Sequence, residues 1–257
     1  MALSINVYRI DADLTVLNKY LVDNKIPEGQ ATEKLAKILN VKSSDVEKIL
    51  NTQNSEGKLL QFVSLKRQVE QGVVDSINNL KYKGIIISSD VKRIYPNDTF
   101  LSQVLGHINL NGSGVNGVEL SYNNYLAGTP GVKVVQLDRY SNELPYTEAV
   151  TVNPINGKNL TLTIDEQIQE LAERVAKETL TENGAKSVSI TIMDPNNGEV
   201  LAMANSPGYN LNEPYAKGNT SSQAEATWRN TAVSDVFEPG SIFKVIMAAA
   251  GLQYNSV

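Results

Sequence analysis

Cysteine is absent from the 257 residues, and histidine occurs once, at His107. A zinc or copper site draws several ligands from these two residue types, so the composition all but excludes one. A solitary histidine reads as a structural residue. Without cysteine there is no disulfide framework, an absence that suits an exported protein and a cytosolic one alike and so leaves the compartment open. Basic residues are outnumbered, 23 Lys and Arg against 28 Asp and Glu, for a formal net charge of -5. Proteins that grip a phosphate backbone gather Lys and Arg on one face, and no such patch stands out, so no nucleic-acid partner is expected. Long apolar runs are also missing. The most apolar stretch, 239–252, falls short of the roughly 20 residues of a membrane span and contains Lys244. Met1-Ala2-Leu3-Ser4 leads directly into an alternating pattern, with neither the basic region nor the apolar core of an export signal. The chain reads as cytosolic, or as a piece whose ends have been trimmed.

What is present is ordinary globular material: 41% hydrophobic and 20% charged residues, far from the composition of disordered chains. At this length two domains are more natural than one. Residues 5–10 alternate apolar and polar and predict a strand with one buried face. Apolar positions at helical spacing predict helices over 31–39 and 44–50, the second capped by Ser43 or Ser44. A strand is expected over 59–65, a helix over 66–80 from Val69, Val73, Ile77 and Leu80, and another strand over the β-branched run 84–88. From 96 to 131 short helical pieces alternate with glycine turns, and 132–137 reads as a strand. A looping segment over 140–157 suggests a domain boundary near 147–157, dividing the chain into 1–150 and 151–257. The second part then opens with a strand over 160–163 and a capping box from Thr163 to Glu166. The helix that follows has Ile168, Leu171, Val175 and Leu180 on its apolar side. Two β-prone runs around the turn 194–198 predict a hairpin. The fold class is α+β.

One segment carries chemistry. In Phe237-Glu238-Pro239-Gly240-Ser241-Ile242-Phe243-Lys244 a Pro-Gly breaker precedes Ser241, and a nearly wholly apolar stretch follows. Ser241 is therefore expected at a helix N-terminus, where free N–H groups and the helix dipole favour developing negative charge. Residues three apart share a helix face, which brings the Lys244 ammonium to the Ser241 hydroxyl. A helix apolar all round is normally buried, and a buried lysine loses its proton readily and serves as a base. The bare Ser-x-x-Lys pattern is weak, since it recurs in polar surroundings at Ser55/Lys58 and Ser89/Lys92. The breaker and the apolar helix distinguish the third copy.

The run from Trp228 through Lys244 resembles the active-site entry of class B penicillin-binding proteins, for which Ser-x-x-Lys is a known element. Residues 190–207 look like the first hairpin of their transpeptidase domain. Arg93, Tyr95, Pro96, Gly106, Gly114, Gly117, Glu119, Tyr122, Leu126, Gly128 and Gly131 resemble the pedestal signature that precedes it. Division-type and sporulation-type members both read this way. The resemblance implies an elongated mixed α/β pedestal (dimerisation) domain followed by a truncated penicillin-binding/β-lactamase-like transpeptidase domain. It implies that Ser241 is acylated and that Lys244 is its base. Arg93, Tyr95, Pro96, Gly114, Gly117 and Glu119 fall to the scaffold, with Arg93 and Glu119 in a salt bridge or polar network. It further implies peptidoglycan stem peptides and β-lactams as ligands, a polytopic membrane glycosyltransferase as partner, a homodimer as an assembly, no cofactor, and an extracytoplasmic, membrane-anchored parent, with residues 1–257 soluble by themselves. β-Lactamases and β-lactam sensors share the serine motif but usually lack a long pedestal. The Ser-x-Asn and Lys-Thr-Gly elements expected after Lys244 do not occur here, so the chain by itself is expected to be inactive, a scaffold or interaction module.

Overall fold

The computed structural model describes residues 1–134, 150–215 and 220–255. They divide into two compact units: Met1–Asn97, Ile108–Val115 and Glu119–Leu160 form the first, and Asp98–His107, Asn116–Val118 and Thr161–Val257 the second. The boundary expected near 147–157 and the loop over 140–157 lie, up to residue 149, outside the described residues.

The first unit is built on a three-stranded antiparallel sheet. Its central strand β1 (Leu3–Ala12) is flanked by β2 (Val63–Val69) and β3 (Ile85–Ile94), once the intervening helices α1 (Leu14–Asp23), α2 (Glu28–Leu39), α3 (Ser43–Leu50) and α4 (Gln71–Leu80) are set aside. β1 and β3 run in register from Leu3 opposite Ile94 to Ala12 opposite Ile85. The core forms where these helices cover the sheet, around Ile10, Leu14, Leu17, Leu35, Leu39 and Val46. Each such side chain contributes about 2 kcal/mol by leaving water. α1, which no sequence signal singled out, begins where the Asp13 carboxylate accepts from the N–H groups of Thr15 and Val16. α3 departs from expectation at its start. Lys42 is its cap, without a side-chain hydrogen bond, and Ser43 is already helical.

Residues 66–69 belong to β2 rather than to a helix, which starts only at Gln71. The reason is burial: Val63, Leu65 and Val69 all point into the core, two of them at strand spacing, and β2 pairs with β1 through a bulged register. The Lys66 ammonium donates to the Leu39 carbonyl at the end of α2, satisfying one of the orphan acceptors that every helix C-terminus leaves.

After β3 come the short helices α5 (Ser102–Leu105), α6 (Gly117–Ser121) and α7 (Asn123–Leu126) and the ribbon of β4 (Val132–Val134) with β5 (Val150–Val152). The remainder of the strand expected over 132–137 lies outside the described residues. In the second unit α8 (Glu166–Glu182) lies on the hairpin of β6 (Val188–Met193) and β7 (Val200–Ser206). Its buried face differs from the expected one. Ala172 and Ala176 meet Ala202 and Ala204 in a core of small side chains, with Ile168 packed beside them, whereas Leu171 and Val175 are 49% and 39% exposed. Gln169 is fully buried. Its amide donates to the Met203 carbonyl at 3.2 Å and accepts from the Met203 N–H at 2.7 Å, acting as a one-residue strand against β7.

The strand expected over 160–163 and the capping box at Thr163 are both replaced. The Thr163 hydroxyl donates to the Val200 carbonyl at 2.7 Å, so it is not available to α8. Asp165 is the cap, accepting from the N–H groups of Gln167 and Ile168. A carboxylate there also meets the positive end of the helix dipole.

Candidate functional site

Beyond α9 (Ser221–Trp228) the chain is fastened to the hairpin by small polar side chains. Asn205 donates to the Asn230 side-chain carbonyl at 3.0 Å, and the Thr231 hydroxyl donates to Asn205 Oδ1 at 2.8 Å and meets the Ser189 hydroxyl at 2.7 Å. This sets α10 (Thr231–Ser234) against the sheet. Arg229 then folds over α10, pairing with Asp235 at 2.5 Å and donating to the Ser234 carbonyl at 3.1 Å.

Pro239 leads into a 3-10 turn, Gly240–Ile242, which runs on into α11 (Phe243–Gln253). Gly240 takes a φ of +54°, which a residue without a Cβ adopts at little cost. Ser241 stands in the middle of that turn and Lys244 in the first turn of the helix, three residues on and on the same side. At this end of α11 the Ile242 N–H donates to the Pro239 carbonyl at 3.1 Å and the Phe243 N–H to the Gly240 carbonyl, while the positive end of the helix dipole lies beside the serine. In one respect the expectation fails: α11 has no buried residue, Val245 is 72% and Met247 61% exposed, and Ser241 and Lys244 are themselves exposed. The burial expected of an all-apolar helix is therefore not seen for α11 among the described residues.

A buried group in the same unit escaped the sequence reading. His107, 1% exposed, packs edge-on against Trp228 with ring centres 4.6 Å apart, and its Nδ1 lies 3.2 Å from the Tyr209 hydroxyl. Asn116 ties this group together. Its Oδ1 accepts from the His107 N–H at 3.0 Å, and its amide donates to the Tyr209 hydroxyl at 3.0 Å and to the Trp228 carbonyl at 3.3 Å. Burial pushes the His107 imidazole down to about 4, against a smaller upward pull from Asn116. The cluster therefore holds the start of the segment that leads to Ser241 with a neutral ring. Trp228 belonged to the serine motif; Asn116, Asn205 and Tyr209 carried no signal of their own.

Of the expected scaffold residues, Arg93, Tyr95, Pro96, Gly114 and Glu119 lie in the first unit. The Arg93 guanidinium donates to Glu119 at 2.7 Å and to the Ser4 hydroxyl at 3.0 Å, and the Tyr95 hydroxyl donates to the same Glu119 oxygen at 3.3 Å. Burial, with the Glu119 charge adding to it, holds the Tyr95 phenol well above its ordinary value. Gly114 admits no side chain, because a Cβ would lie 2.1 Å from the Glu119 carbonyl oxygen. Pro96 is exposed just after the group. Gly117 lies in the second unit, where a Cβ would meet the Val104 carbonyl oxygen at 2.5 Å. No group of three or more metal-ligating side chains occurs among the described residues, and no described helix is long and apolar enough to cross a membrane.

Residues 2–162 match the penicillin-binding protein dimerisation domain, and residues 188–257 match the penicillin-binding protein transpeptidase domain. The chain is 35% identical over 232 residues to the peptidoglycan D,D-transpeptidase FtsI of Escherichia coli K12, a match that takes in 90% of this chain and 37% of that protein. The chain thus spans little more than a third of the relative's length. Among solved structures, a peptidoglycan synthetase from Bifidobacterium adolescentis aligns with a TM-score of 0.62 at 26% identity, covering 99% of this chain and 47% of the other. The penicillin-binding protein PBP2 of Helicobacter pylori, solved in complex with MreC, aligns at 0.65 with 23% identity over 98% of this chain and 48% of its counterpart, a likeness of fold.

Proposed function

Because the chain belongs to the penicillin-binding proteins, we propose that it is part of a peptidoglycan D,D-transpeptidase in which Ser241 is the acylated nucleophile and Lys244 its base. The observation that carries this reading is the placement of Ser241 in the turn that opens α11, with Lys244 one turn on along the same side. In the reaction, Ser241 Oγ attacks the carbonyl carbon of the penultimate D-alanine of a stem peptide while Lys244 Nζ, as the base, takes the hydroxyl proton. The tetrahedral oxyanion is favoured by N–H donors at the helix start. Collapse expels the terminal D-alanine, which leaves with a proton, and the acyl group passes from Ser241 to the amine of a second peptide. A β-lactam acylates the same oxygen when its ring opens. Such chemistry belongs at the extracytoplasmic face of the membrane, where the substrate lies.

The division into 1–150 as pedestal and 151–257 as the beginning of the catalytic domain is part of the same reading; the matches over 2–162 and 188–257 support the order of the two domains. The pedestal is the part assigned to protein contacts: a second copy of the chain, or a polytopic membrane glycosyltransferase of the wall-building machinery. The match of 2–162 to a dimerisation domain favours that role.

The test is intact-mass spectrometry of the full-length gene product after incubation with a fluorescent penicillin. A single adduct at Ser241 is expected, absent from Ser241→Ala, with Lys244→Ala slowing acylation by about 10²–10⁴-fold. Acylation that persists in Ser241→Ala would overturn the assignment. Co-purification of residues 1–150 with the glycosyltransferase tests the pedestal role, which fails if the segment captures none.

A further inference from the structure

The chain contains five Asn-Gly pairs, at Asn111, Asn116, Asn156, Asn183 and Asn197. This dipeptide is chemically labile, because glycine leaves the following backbone nitrogen unhindered for attack on the asparagine side chain. Four of the five are restrained. Asn116 is held by the buried cluster described above. The Asn111 side chain accepts from Arg67 at 3.0 Å while the Gly112 N–H donates to the Asn109 carbonyl at 3.0 Å. Asn183 donates to the Thr179 carbonyl at 3.0 Å, and the Gly184 N–H is engaged by Thr181. Asn197 both donates to Glu199 Oε2 at 3.0 Å and accepts from the Glu199 N–H at 2.9 Å, with the Gly198 N–H bound to Asp194.

Asn156 differs in all these respects. It is exposed, and among the described residues neither its amide nor the Gly157 N–H has a hydrogen-bond partner. We propose that Asn156 is a spontaneous deamidation site of this protein, yielding isoaspartate, the chemistry that isoaspartyl carboxyl methyltransferases recognise. The Gly157 nitrogen gives its proton to solvent base and attacks Asn156 Cγ. The new C–N bond closes a five-membered imide as ammonia departs, and water opens the imide at either carbonyl to leave aspartate or isoaspartate. The net change is water in and ammonia out, with no redox partner. The product matters locally, because Gly157 sits where a Cβ would fall 1.8 Å from the Leu126 carbonyl oxygen. An extra backbone methylene beside that contact has no room without displacing it. The new carboxylate also stands two residues from Lys158, which lies over the Tyr125 ring at 5.2 Å.

The experiment is ageing of the whole chain in mildly alkaline buffer, followed by tryptic peptide mapping. The peptide spanning 140–158 is expected to gain about 1 Da, to split into two isomers, and to accept methyl groups from an isoaspartyl methyltransferase. Since one net hydrogen bond of about 1 kcal/mol corresponds to about fivefold in rate, its conversion should outpace the other four Asn-Gly sites by at least that factor. Asn156→Gln should abolish the change in this peptide alone. Equal or faster conversion at any of the other four, or no conversion of 140–158 at all, overturns the proposal.

Discussion

Arg93, near the end of β3, and Glu119, in α6, meet at 2.7 Å with side chains 19% and 6% exposed. The carboxylate is thus nearly out of water and relies on the guanidinium and on the Tyr95 hydroxyl for its charge. Removing one partner of such a pair leaves an uncompensated buried charge, and Arg93→Ala is expected to cost about 3 kcal/mol. Removing both charges is milder, so Arg93→Met with Glu119→Leu should recover much of that loss. Urea unfolding of the natural chain, Arg93→Met, Glu119→Leu and the double variant reads the coupling. Additive losses would mean that the pair does not act as a unit.

The glycines sort themselves by space. A Cβ on Gly114 would stand 2.1 Å from the Glu119 carbonyl oxygen, and one on Gly106 2.0 Å from the Asn116 carbonyl oxygen, both backbone atoms that cannot yield. Gly72, within α4, meets nothing within 4 Å. Gly114→Ala and Gly106→Ala should therefore each destabilise by more than about 3 kcal/mol or prevent folding. Gly72→Ala should stabilise by about 0.5–1 kcal/mol, because alanine is the better helix residue. Thermal unfolding of the three variants distinguishes a spatial cause from a general intolerance of alanine.

Cap chemistry at α8 gives a finer contrast, because Thr163 and Asp165 both offer oxygens to the same helix start and only Asp165 is used. Asp165→Ala should cost about 1 kcal/mol, and Asp165→Asn or Asp165→Ser much less. Thr163→Val removes a single exposed bond to Val200, worth about 0.5–1.5 kcal/mol, and should leave the helix start intact. Far-UV circular dichroism with urea titration measures both.

That contrast also marks what the amino-acid order could disclose. β1, α2 and the β6–β7 hairpin were legible because their apolar residues repeat with one clear period and end at turn-forming residues. The register of β2 was not, since Val69 fits a helix counted from Val73 and a strand counted from Val63, and only pairing with β1 decides between them. The buried face of α8 does not follow its large side chains. The core there is made of alanines, and Leu171 and Val175 face out. The helix start that carries Ser241 and Lys244 was legible from local signals, a breaker and a spacing. His107 was legible as a structural residue, but its partners Asn116 and Tyr209 were not, because the three come together only through tertiary contact.

His107 supplies the pH dependence. Burial lowers its imidazole from 6.5 to about 4 in the folded chain, so between these values the unfolded chain binds a proton that the folded chain does not. Stability from this residue is complete above pH 6.5 and falls as the pH drops through 4. The full loss is on the order of 3 kcal/mol. His107→Phe keeps an aromatic ring against Trp228 and Tyr209 but cannot titrate, and Tyr209 still has Asn116 as its partner. Its stability relative to the natural chain should therefore rise as the pH falls from 7 to 4, by about 3 kcal/mol across that window. The carboxylates titrate in both proteins and cancel in the difference. A difference that stays flat across the window would show that His107 takes up its proton in the folded chain with little penalty, so that the closed aromatic box does not hold the ring neutral.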